Sequence, residues 1–268
     1  MNKWDLIKWS PRLTKLAYNV LYARVAQKQQ KLYAHHTIRL QDLKNIHKGK
    51  RCFIVGTGPS LTINDLELLK DEITFAPNRI YELLNNTSWR PTYYLCQDHN
   101  IIKQFGDKIK SIDAELLFLP VEYVDEFLGD KFRFFVLREK EFYPDNADFS
   151  FCIDKYIAQG YTVTYGAIQL AFYMGFSEIY LVGVDHNYKI IRDASGRPTR
   201  SSANNNYSSG MTDYVNMNNL PRIEESTIAY ETANKIAGKL GVKIYNATRG
   251  GCLEAFERVN LDNIVLQN

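Results

Sequence analysis

Residues 53–61 read Phe53-Ile-Val-Gly-Thr-Gly-Pro-Ser-Leu61. A short apolar run breaks into Gly56-Thr57-Gly58-Pro59-Ser60, the pattern of a buried strand ending in a glycine turn. Glycines there let the backbone reverse sharply and come close to a ligand, and the exposed amides suit a phosphate or a nucleotide. A tight strand-to-helix turn is the plainer alternative. No third glycine follows at the dinucleotide-fingerprint spacing, and the Lys-Ser/Thr of a Walker loop is missing.

Similar apolar runs recur along the chain. Strands are predicted at 52–55, 73–76, 93–96, 116–119, 132–137, 179–182 and 242–245, and helices at 63–69, 167–174 and 225–240. Continuous apolar strands separated by helices predict an α/β, Rossmann-like fold: a mostly parallel sheet with helices on both faces. Such sheets bind ligands outside the carboxyl ends of their strands, near the reversal of strand order. Functional residues are therefore sought just after strands.

Of the 268 residues, 45% are hydrophobic and 24% charged, enough for one sizeable core and far from the balance of a disordered chain. Cys52, Cys96, Cys152 and Cys252 form no CxxC pair. That argues against a zinc ribbon or redox motif and for reduced thiols in a cytoplasmic protein. Charge is uneven: residues 1–51 hold twelve Lys or Arg against two Asp, and the remainder 21 basic against 28 acidic residues. Residues 1–48 read as a basic amphipathic helical leader, and 49–268 as a nucleotide-binding catalytic domain.

In the leader, Leu13, Leu16, Ala17, Val20, Leu21 and Val25 recur at helical spacing among basic residues, with Trp4 and Trp9 just ahead. Such a helix, within residues 1–40, either lies on an anionic membrane surface or packs on the domain or a second subunit of a homo-oligomer. The expected location is the cytoplasm, with peripheral contact at the inner face of the cell membrane. No stretch reaches the roughly 20 apolar residues of a membrane span. No basic patch interleaved with aromatics occurs in the body of the chain, which argues against nucleic acid.

Further motifs follow strands. Glu178-Ile-Tyr-Leu-Val-Gly-Val-Asp-His-Asn-Tyr188 ends in Gly183, with Val184, Asp185 and His186 at its tip. A carboxylate there can bind ribose hydroxyls, a cation or an acceptor hydroxyl; His186 is a base or a surface residue. In Tyr245-Asn-Ala-Thr-Arg-Gly-Gly251, Arg249 either neutralises a phosphate or belongs to a hydrogen-bonded turn. Ala76-Pro-Asn78 and Cys96-Gln-Asp98-His99 put Asn78 and Asp98 at two more strand ends. Gly160-Tyr-Thr162-Val-Thr164-Tyr-Gly166 opens a helix with hydroxyls and free amides at its positive end. Residues 187–222, polar and without hydrophobic period, read as a lid over the site or as a tolerated surface insertion.

Gly56-Thr-Gly-Pro-Ser-Leu61, the helix at 162–175, Ile179-Tyr-Leu-Val-Gly-Val-Asp185 and Val242-Lys-Ile-Tyr-Asn-Ala-Thr-Arg-Gly-Gly251 keep one order over about residues 50–260. Together they resemble two related groups. One is the bacterial sialyltransferases of glycosyltransferase family 42. The other is the MptE-like family, which includes archaeal 6-hydroxymethylpterin diphosphokinases and flagellar motility accessory factors. The first resemblance implies one Rossmann-like domain with a lid, working without a metal. It implies that the backbone of residues 57–60 approaches the donor phosphate and nucleotide, and that Asn78 binds the donor. Asp98 stands where those enzymes carry another Asn. Thr162 falls near the donor sugar and acceptor, and Gly183, Val184 and Asp185 match the segment holding the cytidine. Those enzymes use a His after the lid as general base; here Pro221-Arg-Ile-Glu-Glu-Ser-Thr227 occupies that place, Val163 replaces a Ser, and Asn187 replaces a Tyr. Glu224, His186 and Asp98 are thus the candidate catalytic residues, with Glu225 and His99 as alternates.

Three functions are expected. The first is a glycosyltransferase moving a sugar from a nucleotide-sugar donor, CMP-linked, to a glycan or lipid-linked acceptor in bacterial surface glycan or glycoprotein synthesis, with no cofactor. The second is a diphosphokinase transferring pyrophosphate from ATP to a pterin-like alcohol, which would call for Mg2+. The third is a nucleotide or glycan binder that has lost its base.

Overall fold

The computed structural model describes residues 39–188, 190–192, 198–200 and 221–266. The stripe from Leu13 to Val25, predicted as the leader helix, and most of the segment 187–222 lie outside the described residues. In chain order the elements are β1 (Arg51–Val55), α1 (Ile63–Leu68), β2 (Thr74–Pro77), β3 (Tyr93–Leu95), α2 (His99–Lys110), β4 (Leu116–Pro120), β5 (Phe132–Phe135), β6 (Leu137–Arg138), β7 (Ile157–Ala158), α3 (Val163–Met174), β8 (Glu178–Val182), β9 (Ile190–Arg192), β10 (Pro198–Arg200), α4 (Ile223–Leu240), β11 (Lys243–Asn246), β12 (Glu257–Arg258) and α5 (Leu261–Val265).

Eight strands form one sheet in the order β12-β11-β8-β1-β2-β3-β4-β5, with every neighbouring pair parallel. From β1 the chain steps outward to β5, then returns to the other flank of β1 for β8, β11 and β12. Strand order therefore reverses between β1 and β8. Val55 pairs with Val182, so Gly56 and Gly183 leave the sheet side by side at the point where a crevice opens.

Two apolar cores cover the two faces of the sheet. Alternation along β1 sends Cys52 and Ile54 to the core built with α3 and α4, and Phe53 and Val55 to the core built with α1, α2 and α5. Burial on both faces is why the strands carry continuous apolar runs rather than alternating ones.

Two predicted elements differ from those observed. The strand expected at 132–137 divides: β5 stops at Phe135, and Leu137–Arg138 pairs with β7 instead. The helix α3 begins at Val163, four residues earlier than its predicted start, and all of it except Val163 and Phe172 is buried. Burial outweighs the weak helix preference of Thr162, Val163 and Thr164. Gln169 locks this helix in place. Its Oε1 accepts from the Ser150 and Ala158 amides at 2.9 Å each, and its Nε2 donates to the Ala158 carbonyl at 2.9 Å. No part of that buried amide is left unpaired, so it rigidifies the start of α3.

His47, before β1, packs on Phe176 at 4.8 Å between ring centroids, and its Nε2 meets the Tyr93 hydroxyl at 2.6 Å. Burial, and then the charge of Lys50, hold its pKa below 6.5. The unfolded chain therefore takes up this proton first as pH falls. Stability is full above about pH 6.5 and is lost below it. Urea denaturation at about pH 8 and about pH 5.5 should show a fall that is smaller in His47→Gln than in the unaltered chain. The same pH dependence in both chains would contradict this account.

Candidate active site

A cavity of about 480 Å³ lies at the carboxyl ends of β1, β2, β3 and β8. Its wall brings together Gly56, Thr57 and Gly58 after β1, Asn78 after β2, and Asp98 after β3. Thr162 joins them at the start of α3, with Gly183, Val184, Asp185 and His186 after β8. Ser60, Arg249 and Glu224 stand outside this wall.

Asp185 is held from several sides. Its Oδ2 accepts from the Ser60 hydroxyl at 2.7 Å and from the Ser60 amide at 3.3 Å. Its carbonyl accepts from the Cys252 amide at 2.7 Å. A Cβ on Gly58 would fall closer than 3.0 Å to its carboxylate, and one on Gly251 closer than 3.0 Å to its backbone. Only glycine fits at either position, and Gly251 also has φ +78°. Ser60 therefore braces the site from behind rather than lining it.

Two helices begin at the cavity, and their ends differ. At α2, Asp98 is the N-cap: its Oδ1 accepts from the Asn100 and Ile101 amides at 2.8 and 3.3 Å. This carboxylate stabilises its own helix, which accounts for an Asp at that strand end without any proton-transfer role. At α3 the N-cap is Thr162, whose side chain makes no capping hydrogen bond and meets the Tyr230 hydroxyl at 3.2 Å instead. The first turn of α3 thus keeps its positive end available to an anion, while that of α2 is already neutralised.

Arg249 is turned away from the cavity. Its Nε donates to Asp65 at 2.7 Å and its terminal nitrogens to Asp262 at 2.9 and 2.7 Å, clamping α1 to α5 and raising its pKa. Glu224 is exposed in the first turn of α4, where it accepts from the Tyr143 hydroxyl. Among the described residues the cation in the wall is instead Arg222, which sequence reasoning did not single out. It grips Glu141 at 2.8 and 3.0 Å, donates from Nε to Glu225 at 2.8 Å, and lies 3.8 Å over the Tyr161 ring. Pairing with Glu225 likewise removes that carboxylate from the list of unengaged bases.

Backbone strain gathers at the same place. Asn78 (φ +47°), Tyr161 (φ +55°) and His186 (φ +50°) all line the cavity; among the described residues Asn45 is the fourth non-glycine residue with positive φ. Each such conformation costs of order 1–3 kcal/mol and persists where the surroundings enforce it. Asn78 is fixed partly by the Tyr94 hydroxyl, which donates to its carbonyl at 2.7 Å. The Asn78 Oδ1 and Gln97 Nε2, both in wall residues, are buried without a protein partner. Among the described residues no group of three or more His, Cys, Asp or Glu side chains is placed to hold a metal ion.

Residues 27–190 match the family described as 6-hydroxymethylpterin diphosphokinase MptE-like. The chain belongs to this MptE-like family. The match takes in every strand tip of the cavity and the start of α3, and ends before α4 brings in Arg222 and Tyr230. Among solved structures, the Maf glycosyltransferase from Magnetospirillum magneticum AMB-1 has a similar fold, at 16% sequence identity and a TM-score of 0.51. The likeness covers 86% of this chain and 39% of that one, so this chain spans well under half the length of that protein. No curated protein matches the chain. Among the described residues, no helix is long and apolar enough to cross a membrane.

The glycine contacts around Asp185 set an expectation for this family member. Gly58→Ala and Gly251→Ala should each lose about 1–3 kcal/mol of stability, because neither Cβ has room. Gly238→Ala, in α4 with nothing near its Cβ, should gain about 0.5–1 kcal/mol. Denaturant titration of the three variants checks this; equal stability in all three would refute the packing argument.

Proposed function

We propose that the protein is a glycosyltransferase that takes a sugar from a nucleotide-activated, CMP-linked donor. The observation that carries this reading is the uncapped first turn of α3 in the same cavity as the braced carboxylate of Asp185. The first offers a phosphate backbone amides and a positive helix end. The second offers an acceptor for ribose or base hydrogens. An acceptor hydroxyl attacks the anomeric carbon, the bond from that carbon to the phosphate oxygen breaks, and the electron pair leaves with the nucleotide. Amides of α3 and the hydroxyls of Thr57 and Thr162 stabilise the departing charge. The segment 187–222 serves as a lid that keeps water from the donor. The basic leader, residues 1–48, brings the enzyme to an anionic membrane surface and to a lipid-linked acceptor. That a protein of similar fold is described as a glycosyltransferase supports the reaction class.

The description of the MptE-like family supports a second reading, transfer of diphosphate from ATP to a pterin-like alcohol. Calorimetry separates the two. CMP should bind without added metal, and Asp185→Ala should weaken it about tenfold or more, the worth of one hydrogen bond to a charged group. Binding of ATP only with magnesium, and none of CMP, would favour the kinase. CMP affinity unchanged by the substitution would overturn the role given to Asp185.

A further inference from the structure

The proton acceptor for the attacking hydroxyl can be traced through the hydrogen bonds around the cavity. Asp98 caps α2, and Glu224 lies outside the wall. His99 turns its Nδ1 to the Tyr123 hydroxyl at 2.9 Å. Asp185 is held by Ser60. His186 sits in strained backbone at the tip of β8, its ring edge-on to Tyr230 with centroids 5.5 Å apart, and the Tyr230 hydroxyl in turn meets Thr162 at the start of α3.

Its Nε2 lies 2.7 Å from the Thr227 hydroxyl oxygen. That hydroxyl has a single proton, and it donates it to the Ile223 carbonyl one turn back in α4, at 2.8 Å. With its proton on that carbonyl, the oxygen accepts from the ring. This arrangement puts the hydrogen on Nε2 and leaves the lone pair on Nδ1. Burial lowers the His186 pKa below 6.5, so the ring is neutral at neutral pH, as a base must be. Its neighbours on α4 are the uncharged Thr227 and Tyr230, with Glu225 already paired to Arg222; on its own strand tip the neighbour is Asp185.

We infer that His186 accepts the acceptor's proton through Nδ1, and that Thr227 is the positioning residue that fixes the tautomer; this rests on the glycosyl-transfer reading. The acceptor O–H proton passes to Nδ1 as the oxygen bonds to the anomeric carbon, and the nucleotide phosphate leaves with the electron pair.

Nitrogen-15 NMR of the full chain with labelled histidine tests the positioning without any substrate. The unaltered chain should show His186 as the Nε2–H tautomer, Thr227→Val should give a mixture, and Thr227→Ser should restore the single form. An Nδ1–H tautomer in the unaltered chain overturns the assignment. Release of CMP from a CMP-activated sugar tests the chemistry. His186→Gln should lower the rate about 10²–10⁴-fold while calorimetric CMP affinity stays within about twofold. Thr227→Val should lower the rate about tenfold, and Thr227→Ser should recover it. An undiminished rate in folded His186→Gln refutes the base. If the unaltered chain binds no CMP, the donor reading and the base fall together, while the tautomer still decides the role of Thr227.

Discussion

Everything at the crevice depends on where Asp185 sits. The strand order reverses between β1 and β8, and the loops that leave these two paired strands side by side are tied together just beyond their tips. Ser60 supplies hydroxyl and amide from the β1 side, and Gly58 and Gly251 supply the room. A side chain on either glycine would drive the carboxylate out of its place. The contact is a packing constraint and a polar one at once, and it sets the floor of the cavity before any ligand arrives.

Above that floor, the site is organised by which charges are already spent. Asp98 neutralises the start of α2, Arg249 is divided between Asp65 and Asp262, and Arg222 is held by Glu141 and Glu225. What stays open is the first turn of α3, kept in place by the buried amide of Gln169. A helix end fixed this way is preorganised for an anion and needs no side-chain rearrangement to receive one. The left-handed residues Asn78, Tyr161 and His186 surround it, so the strained backbone sits where binding energy can be returned.

The strands were readable because a parallel sheet covered on both faces leaves continuous apolar runs, as in β1 and β8. The strand-end rule then pointed to Gly56, Asn78, Asp98 and Asp185, and these share one hollow. Where the reading fell short, the deciding partner was distant in sequence. Arg249 looked like a phosphate ligand because nothing local reveals Asp65, 184 residues away. Helix α2 was legible but went unread: Ile101, Ile102, Phe105 and Ile109 recur at helical spacing among polar residues. Arg222 and Tyr230 belong to no motif and reach the wall only through the placement of α4. Thr227 was unreadable for the same reason: its meaning lies in one hydrogen bond to a residue 41 positions earlier.

The most direct measurement is a crystal structure of the full chain with CMP bound. The account places the phosphate within hydrogen-bonding distance of the amides that open α3, and the ribose or base against the carboxylate of Asp185. A nucleotide seated on another face of the sheet, or one reversed so that its phosphate meets Asp185, would contradict it.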